Sequence, residues 1–572
     1  MATLNYRPCR EHENANNMKK LLLISASIAL LLTACQPKIQ QATLIVQNAN
    51  IWTGNSQQPQ ANALAISGDT IVAVGSNEEI KKFKGASTKI IDAQGHFVTP
   101  GFIDSHVHLL DGGFTLSSVQ LRDAKTPEEF SQRIEAFTKT VPKGTWIIGS
   151  DWDGSEWGEL PSKHWIDSLT PDHPVFLARF DGHIGLANSL AMKLAGINND
   201  ISDVEGGVIL RDDANELTGI FKDNAMTLIT SKIPTPTDEQ FDTALDNAMK
   251  YFASNGVTSV HHVWYPTDYD GYQAGFERAH KNNRLTLRIY SLDSLENWSA
   301  LGKKIAADHI DDKWLKINGV KGVLDGALGS HTAAFNEPFT DDPTDRGSLM
   351  LPEKNLYNWA SKADKLDIQV AIHAIGDRAN HILLNTFKTI ASENGEKDRR
   401  FRIEHAQHIS PSDIARFSEL DVIACMQPYH AIDDGRWAEK IIGPERIKTT
   451  YAFKSLINAN TKVAFSSDWP VAPASVLEGI YAAVTRRTLD DKNPGGWVPE
   501  QKVSVEDALV AYTKNGAYAS FEEKIKGTLE VGKLADFVII SEDITKVDPV
   551  RIKDLKILET YVGGKSVFRR TH

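Results

Sequence analysis

Four histidines and one aspartate have residue types and positions suited to binding a metal ion. His106 and His108 are separated by one residue at the end of an apolar run. Residues two apart on a strand point to the same side, so both imidazoles can reach one ion. His373, His405 and Asp468 each end or follow another short apolar run. Imidazole nitrogens and a carboxylate oxygen are ligands suited to Zn²⁺ or a related divalent cation.

Eight short apolar runs alternate with stretches of helical periodicity through the middle of the chain. Near-continuous apolar strands between helices are typical of parallel β/α units, whose sheet is buried on both faces. Eight such units predict an α/β protein with a TIM (β/α)8 barrel, whose active site assembles at the C-terminal ends of the strands. The predicted strands are Val98–Asp104, Val257–His262, Thr286–Ser291, Leu315–Leu324, Gln369–His373, Phe401–Glu404, Val422–Met426 and Val463–Ser466.

The two ends of the chain have a different pattern. Short β-runs with Gly, Asn and Asp turns occupy residues 43–99 and return in residues 525–570. We therefore predict a small β-sandwich built from both termini, around a hydrolase barrel at residues 100–524. The stretch at about 115–240 is too long for a simple loop and has strand and helix patterns of its own. We predict that it forms an inserted subdomain, after the first barrel strand, over the barrel mouth.

We expect a secretory signal that begins at Met18, the preferred start of translation. Two lysines, an apolar run from Leu21 to Leu32 and a small-residue site ending at Cys35 follow one another. This order is typical of a signal peptide, and the run is too short to span a bilayer stably. A Cys after Leu-Thr-Ala resembles the bacterial lipobox, which implies that Cys35 is acylated. An ordinary signal peptide with a chance Cys is the alternative for residues 1–35.

The lipobox resemblance sets the expected location. Gln36 rather than Asp follows Cys35, which in Gram-negative bacteria favours the outer membrane. We therefore expect an exported protein, anchored by lipid in the cell envelope and facing the periplasm from the outer membrane. Cys425 is then the single cysteine of the mature chain, which excludes a disulfide framework. The net charge of −12 argues against a nucleic-acid partner.

The motifs together resemble the amidohydrolase superfamily, and within it the YtcJ-like branch, also called amidohydrolase family three. The resemblance runs from about residue 44 to residue 570 and is specific for that branch. It rests on Pro100–His108, Asp181-Gly182-His183, Asp325–Ser330, His373–Ala379, Glu404–Gln407, Met426-Gln427-Pro428 and Gly532–Asp536.

The resemblance implies a metal-dependent amidohydrolase that uses metal-activated water to cut a C–N bond of a small molecule. His106 and His108 would bind the more buried of one or two cations, with Zn²⁺ as the first candidate. His373 and His405 would bind the second cation. Asp468 would bind the first cation, take the proton of the attacking water and pass it to the leaving nitrogen, which makes it the catalytic residue.

Lys321 matches the lysine that carries a carbamate in binuclear members of the family. A desolvated lysine loses its proton readily and can then add CO₂. The resulting carbamate is an anion able to bridge two cations. Lys316 on the same strand is the rival for this role, and a buried or ion-paired lysine is the structural alternative.

Four other residues are candidates for binding the substrate: His183, Gln427, His430 and Trp152. His331 stands where relatives more often have Arg, which argues against transferring any particular substrate to this chain. Hydrolysis of an ester, lactone or peptide by the same metal centre is an alternative, as is a surface binding lipoprotein without turnover. Dimers are common in the superfamily, so a homodimer is a further expectation.

Overall fold

Eight parallel strands form the central sheet, in a computed structural model that describes residues 1, 40–152, 154, 157–179, 183–264, 271–307 and 310–571. Each strand pairs with the next one along the chain. Most of their residues are buried, as expected for strands with helices outside and side chains inside. The predicted α/β fold with a TIM barrel is confirmed. The strands are Phe102–Val107, Val257–Val263, Arg288–Ser294, Leu315–Val323, Gln369–Ala374, Arg402–His405, Ile423–Met426 and Val463–Phe465.

Amphipathic helices surround this sheet. The helix before the second strand shows why they form, because Thr237 and Gln240 make a reciprocal capping box at its start. Phe241, Leu245 and Phe252 recur along its buried face. None of the helices within the described ranges is long and apolar enough to cross a membrane. The helices of this unit are Leu109–Leu116, Asp238–Ser254, Tyr272–Lys281, Trp298–Ala307, Glu353–Lys365, Asp377–Asn394, Ile414–Glu419, Pro428–Asp434, Ala438–Arg446, Phe453–Asn458, Val476–Thr485, Val505–Ala511 and Lys514–Ala519.

A second unit lies between the first barrel helix and the helix that begins at Asp238. It has a five-stranded sheet and two apolar clusters of its own. In sheet order its strands are Gly207–Arg211, Leu217–Asp223, Ile184–Ala187, Val175–Arg179 and Ile147–Trp152, and its helices are Pro127–Thr138, Ser189–Leu194 and Thr227–Thr230.

Strands from both ends of the chain form the remaining two sheets. The first contains Thr70–Gly75, Ala63–Ser67, Ala42–Gln47 and Lys84–Asp92, in that order. The second joins C-terminal to N-terminal strands, because Phe537–Ile540 pairs antiparallel with Phe97–Pro100. Its order is Lys565–Arg569, Ile557–Val562, Phe537–Ile540, Phe97–Pro100, Asn50–Trp52 and Gln60–Ala61. One short helix, Asn77–Lys81, belongs to this part of the chain.

The first predicted barrel strand, Val98–Asp104, is in fact two strands. Residues before Gly101 belong to the terminal sheet, and those after it start the barrel. The Gly101 N–H donates to the Asp536 carbonyl at 2.9 Å, and a Cβ here would lie 2.2 Å from the Thr258 hydroxyl. The apolar run does not reveal this break because both strands are buried.

A buried ion pair joins the terminal sheets to the barrel. Arg288 of the third strand makes a two-pronged contact with Asp536, at 2.7 and 2.8 Å, and both side chains are almost fully buried. An Asp536→Asn variant leaves the guanidinium buried without a counter-charge. We expect it to lose about 3–5 kcal/mol of stability, measured as a lower denaturant midpoint.

Asp69 provides the matched control. Its carboxylate pairs with Lys313, which also joins the terminal sheets to the barrel, but both groups are partly exposed to solvent. An Asp69→Asn variant should therefore lose less than about 1 kcal/mol. Equal losses of stability for the two variants would show that the buried ion pair matters no more to stability than the exposed one.

Candidate metal centre

The five predicted ligands come together at one end of the barrel. The imidazole of His106 has its ring centre 5.4 Å from that of His108 and 4.9 Å from that of His405. The His405 and His373 ring centres are 4.5 Å apart. One Asp468 oxygen, Oδ1, lies 3.3 Å from His106 Nε2 and 3.1 Å from His108 Nε2. All five residues follow or end barrel strands and lie at the C-terminal rim.

Hydrogen bonds on the far side of each ring fix which nitrogen faces the centre. His106 Nδ1 donates to Glu404 Oε2 at 2.5 Å, and His108 Nδ1 donates to the Val263 carbonyl at 3.1 Å. His405 Nδ1 donates to Gln427 Oε1 at 2.9 Å. In a neutral ring the other nitrogen, Nε2, then carries a lone pair. This arrangement is typical of imidazoles that bind metal.

The converging atoms fit a cation. The Nε2 atoms of His106 and His108 both face Asp468 Oδ1. Their lone pairs repel the negative charge of that oxygen unless a cation lies between them. Within the described residues, His106 Nε2 and Asp468 Oδ1 have no hydrogen-bond partner although both are buried. Ligand atoms of His106, His405 and Asp468 all lie within 4.8 Å of one another. The donor set of nitrogen and oxygen suits a divalent cation.

The electrostatics keep Asp468 ionised. Burial alone raises the pKa of a carboxylate, but the imidazoles of His106 and His108, which face its Oδ1 atom, hold the pKa of Asp468 well below its usual range. His405, by contrast, has its pKa lowered by burial and by the neighbouring His373. An ionised carboxylate beside neutral imidazoles is the protonation state that binds metal.

Two candidate ligands have strained backbones. The φ angles of His405 and Asp468 are 70° and 62°, in the left-handed region that non-glycine residues avoid. Such residues cost about 1–3 kcal/mol each and concentrate at functional sites. Hydrogen bonds hold the aspartate in this conformation, because the Asp468 N–H donates to the His106 carbonyl at 2.9 Å. The strain turns both side chains towards the centre.

The barrel closes at the loop that carries Asp468. The His108 N–H donates to the Trp469 carbonyl at 2.8 Å. Asp104 Oδ2 accepts from the Ser467 hydroxyl at 2.6 Å, and Asp104 Oδ1 accepts from the Ser467 N–H at 2.9 Å. Asp104 therefore clamps the loop after the eighth strand onto the first strand, and it places Asp468 beside the two histidines.

Lys321, rather than Lys316, lies near the end of the fourth strand at which the candidate ligands meet. Lys321 is buried, and it pairs with Ala371, two residues before His373 on the neighbouring strand. Desolvation lowers its pKa. Burial and then the charge of Lys321 lower the pKa of His373 to about 3. Lys316 instead lies 3.5 Å from Asp311 near the start of the strand.

Asp325 organises the loops around His373. Its carboxylate accepts N–H bonds from Ala334, Ile375 and Gly376, at 2.8, 2.9 and 2.8 Å. These bonds tie the loop after the fourth strand to the loop after the fifth. His373 Nε2 in turn donates to the Gly326 carbonyl at 3.2 Å, which leaves Nδ1 to face the centre.

The substrate candidates have different surroundings. Trp152 is fully buried in the core of the inserted unit, and its indole N–H donates to the Leu177 carbonyl at 2.9 Å. This corrects the prediction of a substrate contact, because packing takes up the whole side chain. Gln427 is also fully buried and hydrogen-bonds His405, so it orients a candidate ligand and has no face open to substrate.

His183 and His430 remain open to a substrate role. His183 is exposed and bonds to Asp223 at 2.8 Å within the inserted unit. Asp181 and Gly182, the other residues of its motif, lie outside the described residues, as does Cys35. His430 stands in the helix after the seventh strand, and its Nε2 is buried without a hydrogen-bond partner among the described residues. Burial lowers the pKa of His430, while the nearby Asp468 raises it and the nearby His106 lowers it further.

Sequence reasoning included three carboxylates in the family motifs but assigned no role to any of them: Asp104, Asp325 and Glu404. Their signal was available, since each is an acidic residue within or next to an apolar parallel strand, where ionisable groups are rarely buried unless paired. Which partner each one binds depends on strands far away in the chain.

Comparison with known proteins identifies the family to which the chain belongs. Residues 89–568 match the model of the amidohydrolase family, which is most of the chain. This chain belongs to the amidohydrolase family. The amidohydrolase is 30% identical to the putative amidohydrolase YtcJ of Bacillus subtilis, over 91% of this chain and 98% of that protein. The predicted membership of the YtcJ-like branch is confirmed.

Other relatives span nearly the whole amidohydrolase. The protein LONG AFTER FAR-RED 3 of Arabidopsis thaliana is 39% identical over 92% of both chains. The N-substituted formamide deformylase of Arthrobacter pascens is 27% identical over 93% of this chain and 99% of that enzyme. A solved metal-dependent hydrolase from Pyrococcus horikoshii superposes with a TM-score of 0.76 at 29% identity, covering 88% of this chain and 99% of the other. Sequence and fold therefore both place the protein among the amidohydrolases.

Proposed function

We propose that this amidohydrolase hydrolyses an amide-type C–N bond of a small molecule, with water activated by one or two divalent cations, Zn²⁺ in the first place. The single observation that carries the proposal is the meeting of imidazole lone pairs of His106 and His108 at Asp468 Oδ1, 3.3 and 3.1 Å away. The name of the formamide deformylase relative supports a C–N bond as the target.

The ligands divide into two groups. His106, His108 and Asp468 would hold the first cation, and His373 and His405 the second. A bound divalent cation supplies Lewis acidity there: it polarises a carbonyl oxygen and lowers the pKa of water from about 15.7 towards about 7. Lys321, which is desolvated by burial, would add CO₂ through its neutral amine and release one proton, and the resulting carbamate would supply further anionic oxygen ligands for the cations.

Asp468 moves the proton in this proposal. Its low pKa keeps it ionised at neutral pH, so it can accept a proton from the attacking water. It then gives that proton to the leaving nitrogen, which would otherwise depart as an unstable amide anion. His430, whose buried Nε2 has no hydrogen-bond partner among the described residues, would hydrogen-bond the substrate beside Asp468. Asp468 itself is buried, which limits the contact of the transferred proton with bulk water.

The N-terminus carries the proposal for location. The Leu-Thr-Ala-Cys sequence ending at Cys35 supports export and a lipid anchor in the outer membrane, with the enzyme facing the periplasm. An anchored enzyme of this kind meets small molecules that enter the envelope.

The full chain, purified with added Zn²⁺, tests the function in three measurements. Elemental analysis should find one or two divalent cations per chain. Native mass spectrometry should find the added mass of one CO₂, which a Lys321→Met variant lacks. A panel of formamides and of linear and cyclic amides, with matched esters, should show faster turnover of amides. A cation-loaded preparation that hydrolyses no member of the panel would contradict the proposal and favour a binding protein. Faster turnover of the esters would show that the enzyme hydrolyses an ester bond instead of an amide bond.

A further inference from the structure

A chain of buried polar side chains lies directly beneath the proposed cation site. Glu404 accepts from His106 Nδ1 through Oε2, and its other oxygen accepts from Arg402 Nε at 2.7 Å. The same guanidinium donates to His261 Nδ1 at 3.0 Å and to the Ser105 carbonyl at 2.6 Å. All four side chains, from His106 to His261, are fully buried. Every nitrogen of the guanidinium therefore has a partner, and Glu404 is held on both sides.

This ion pair is costly to bury. Arg402 and Glu404 are two residues apart on the sixth strand, so both point into the barrel interior. Apolar residues of similar volume usually serve stability as well as or better than a buried ion pair. Stability alone thus gives no reason for two charges at this place, whereas the contact of Glu404 with a candidate ligand does.

We propose that Glu404 is a positioning residue that sets the cation affinity of the site through His106. Its carboxylate keeps the proton of His106 on Nδ1 and makes Nε2 a stronger donor towards the cation. Arg402 in turn holds that carboxylate in place. The inference rests on the proposed cation site, and it deepens that proposal by naming a residue that touches neither substrate nor cation.

A nearby cluster explains why the cation belongs above His106 and not below it. Ligand atoms of His106, Glu404 and Cys425 also lie within 4.8 Å of one another. The Arg402 guanidinium, however, binds Glu404 and lies 3.5 Å from Cys425 Sγ. The positively charged guanidinium of Arg402 already lies beside Glu404 and Cys425. A metal cation bound by His106, Glu404 and Cys425 would therefore be repelled by Arg402.

The test compares Zn²⁺ affinity in competition with a chromophoric chelator. A Glu404→Gln variant keeps the shape and an acceptor oxygen but loses the charge, and we expect its Zn²⁺ Kd to be about 10–100-fold larger. Glu522→Gln is the matched control, because Glu522 is a buried carboxylate paired with Lys526 at 2.7 Å. Lys526 itself donates to Ser259 in the first half of the second strand, away from the rim. The Zn²⁺ Kd of the Glu522→Gln variant should therefore equal that of the wild type.

A second variant keeps the test decisive if the lone Arg402 charge disturbs folding. The double change Arg402→Gln and Glu404→Gln leaves no single buried charge, and its melting transition reports its fold. Weakened Zn²⁺ binding in every variant that folds supports the inference, and wild-type affinity in any folded variant overturns it. A wild-type protein that binds no cation contradicts the proposed function instead, so the two failures are distinguishable.

Discussion

An Asp468→Asn variant should lose about 10²–10⁴-fold in kcat, the range that general acid–base catalysis supplies. The amide cannot accept the proton of the attacking water, and it cannot protonate the leaving nitrogen. Its oxygen still faces His106 and His108, so the protein should keep cation at saturating Zn²⁺. The measurement is kcat on the best amide of the panel, with the cation content of the same sample.

Asp434→Asn is the matched control for this prediction. Asp434 is another buried aspartate, and it accepts hydrogen bonds from Tyr451 and Gln407, at 2.6 and 2.9 Å. Burial raises the pKa of Asp434 to about 7, so asparagine resembles its protonated form. The control should retain near-wild-type turnover. Near-wild-type turnover of Asp468→Asn would rule out its role in proton transfer.

Removing the cations should abolish hydrolysis and lower the melting temperature, and added Zn²⁺ should reverse both effects. Without a cation, the lone pairs at His106, His108 and Asp468 repel one another inside the barrel. A ligand that binds only the folded protein stabilises it by about 4 kcal/mol at 1,000 times its Kd. Dialysis against a chelator, followed by assay and thermal melting, measures the loss and the recovery.

Two histidine variants test whether the effect belongs to this site. The His106→Ala variant should have a low melting temperature before any chelator is added, and added Zn²⁺ should raise that temperature only slightly. His381→Ala should respond like the wild type, because His381 lies on the helix after the fifth strand and pairs with Asp413. Full activity in a sample whose cation content is far below one per chain would contradict metal dependence.

The strained backbone at the rim links the fold to this chemistry. His405 and Asp468 keep left-handed φ angles of 70° and 62°, which residues other than glycine adopt only at an energetic cost. Neighbouring strands hold these residues in place through bonds such as that from the Asp468 N–H to the His106 carbonyl. The surrounding barrel therefore pays for a geometry that the local sequence would not adopt alone.

The sequence by itself predicted the eight barrel strands, apart from the break at Gly101, and the set of residues at their ends. Apolar runs and the two-residue period of a strand are local signals, and a parallel barrel gathers the C-terminal ends of all its strands at one rim. The positions of His106, His108, His373, His405 and Asp468 follow from these two rules alone. The motif resemblance added their proposed roles.

Only the tertiary structure decided the partners of those residues. Nothing local shows that Glu404 meets His106, that Asp104 clamps Ser467, or that Gln427 holds His405. The break at Gly101 and the packing of Trp152 were also invisible, since buried strands and buried indoles look alike in sequence whatever they contact. Hydrogen bonds between distant strands depend on register and side-chain direction in space, and these arise only when the barrel closes.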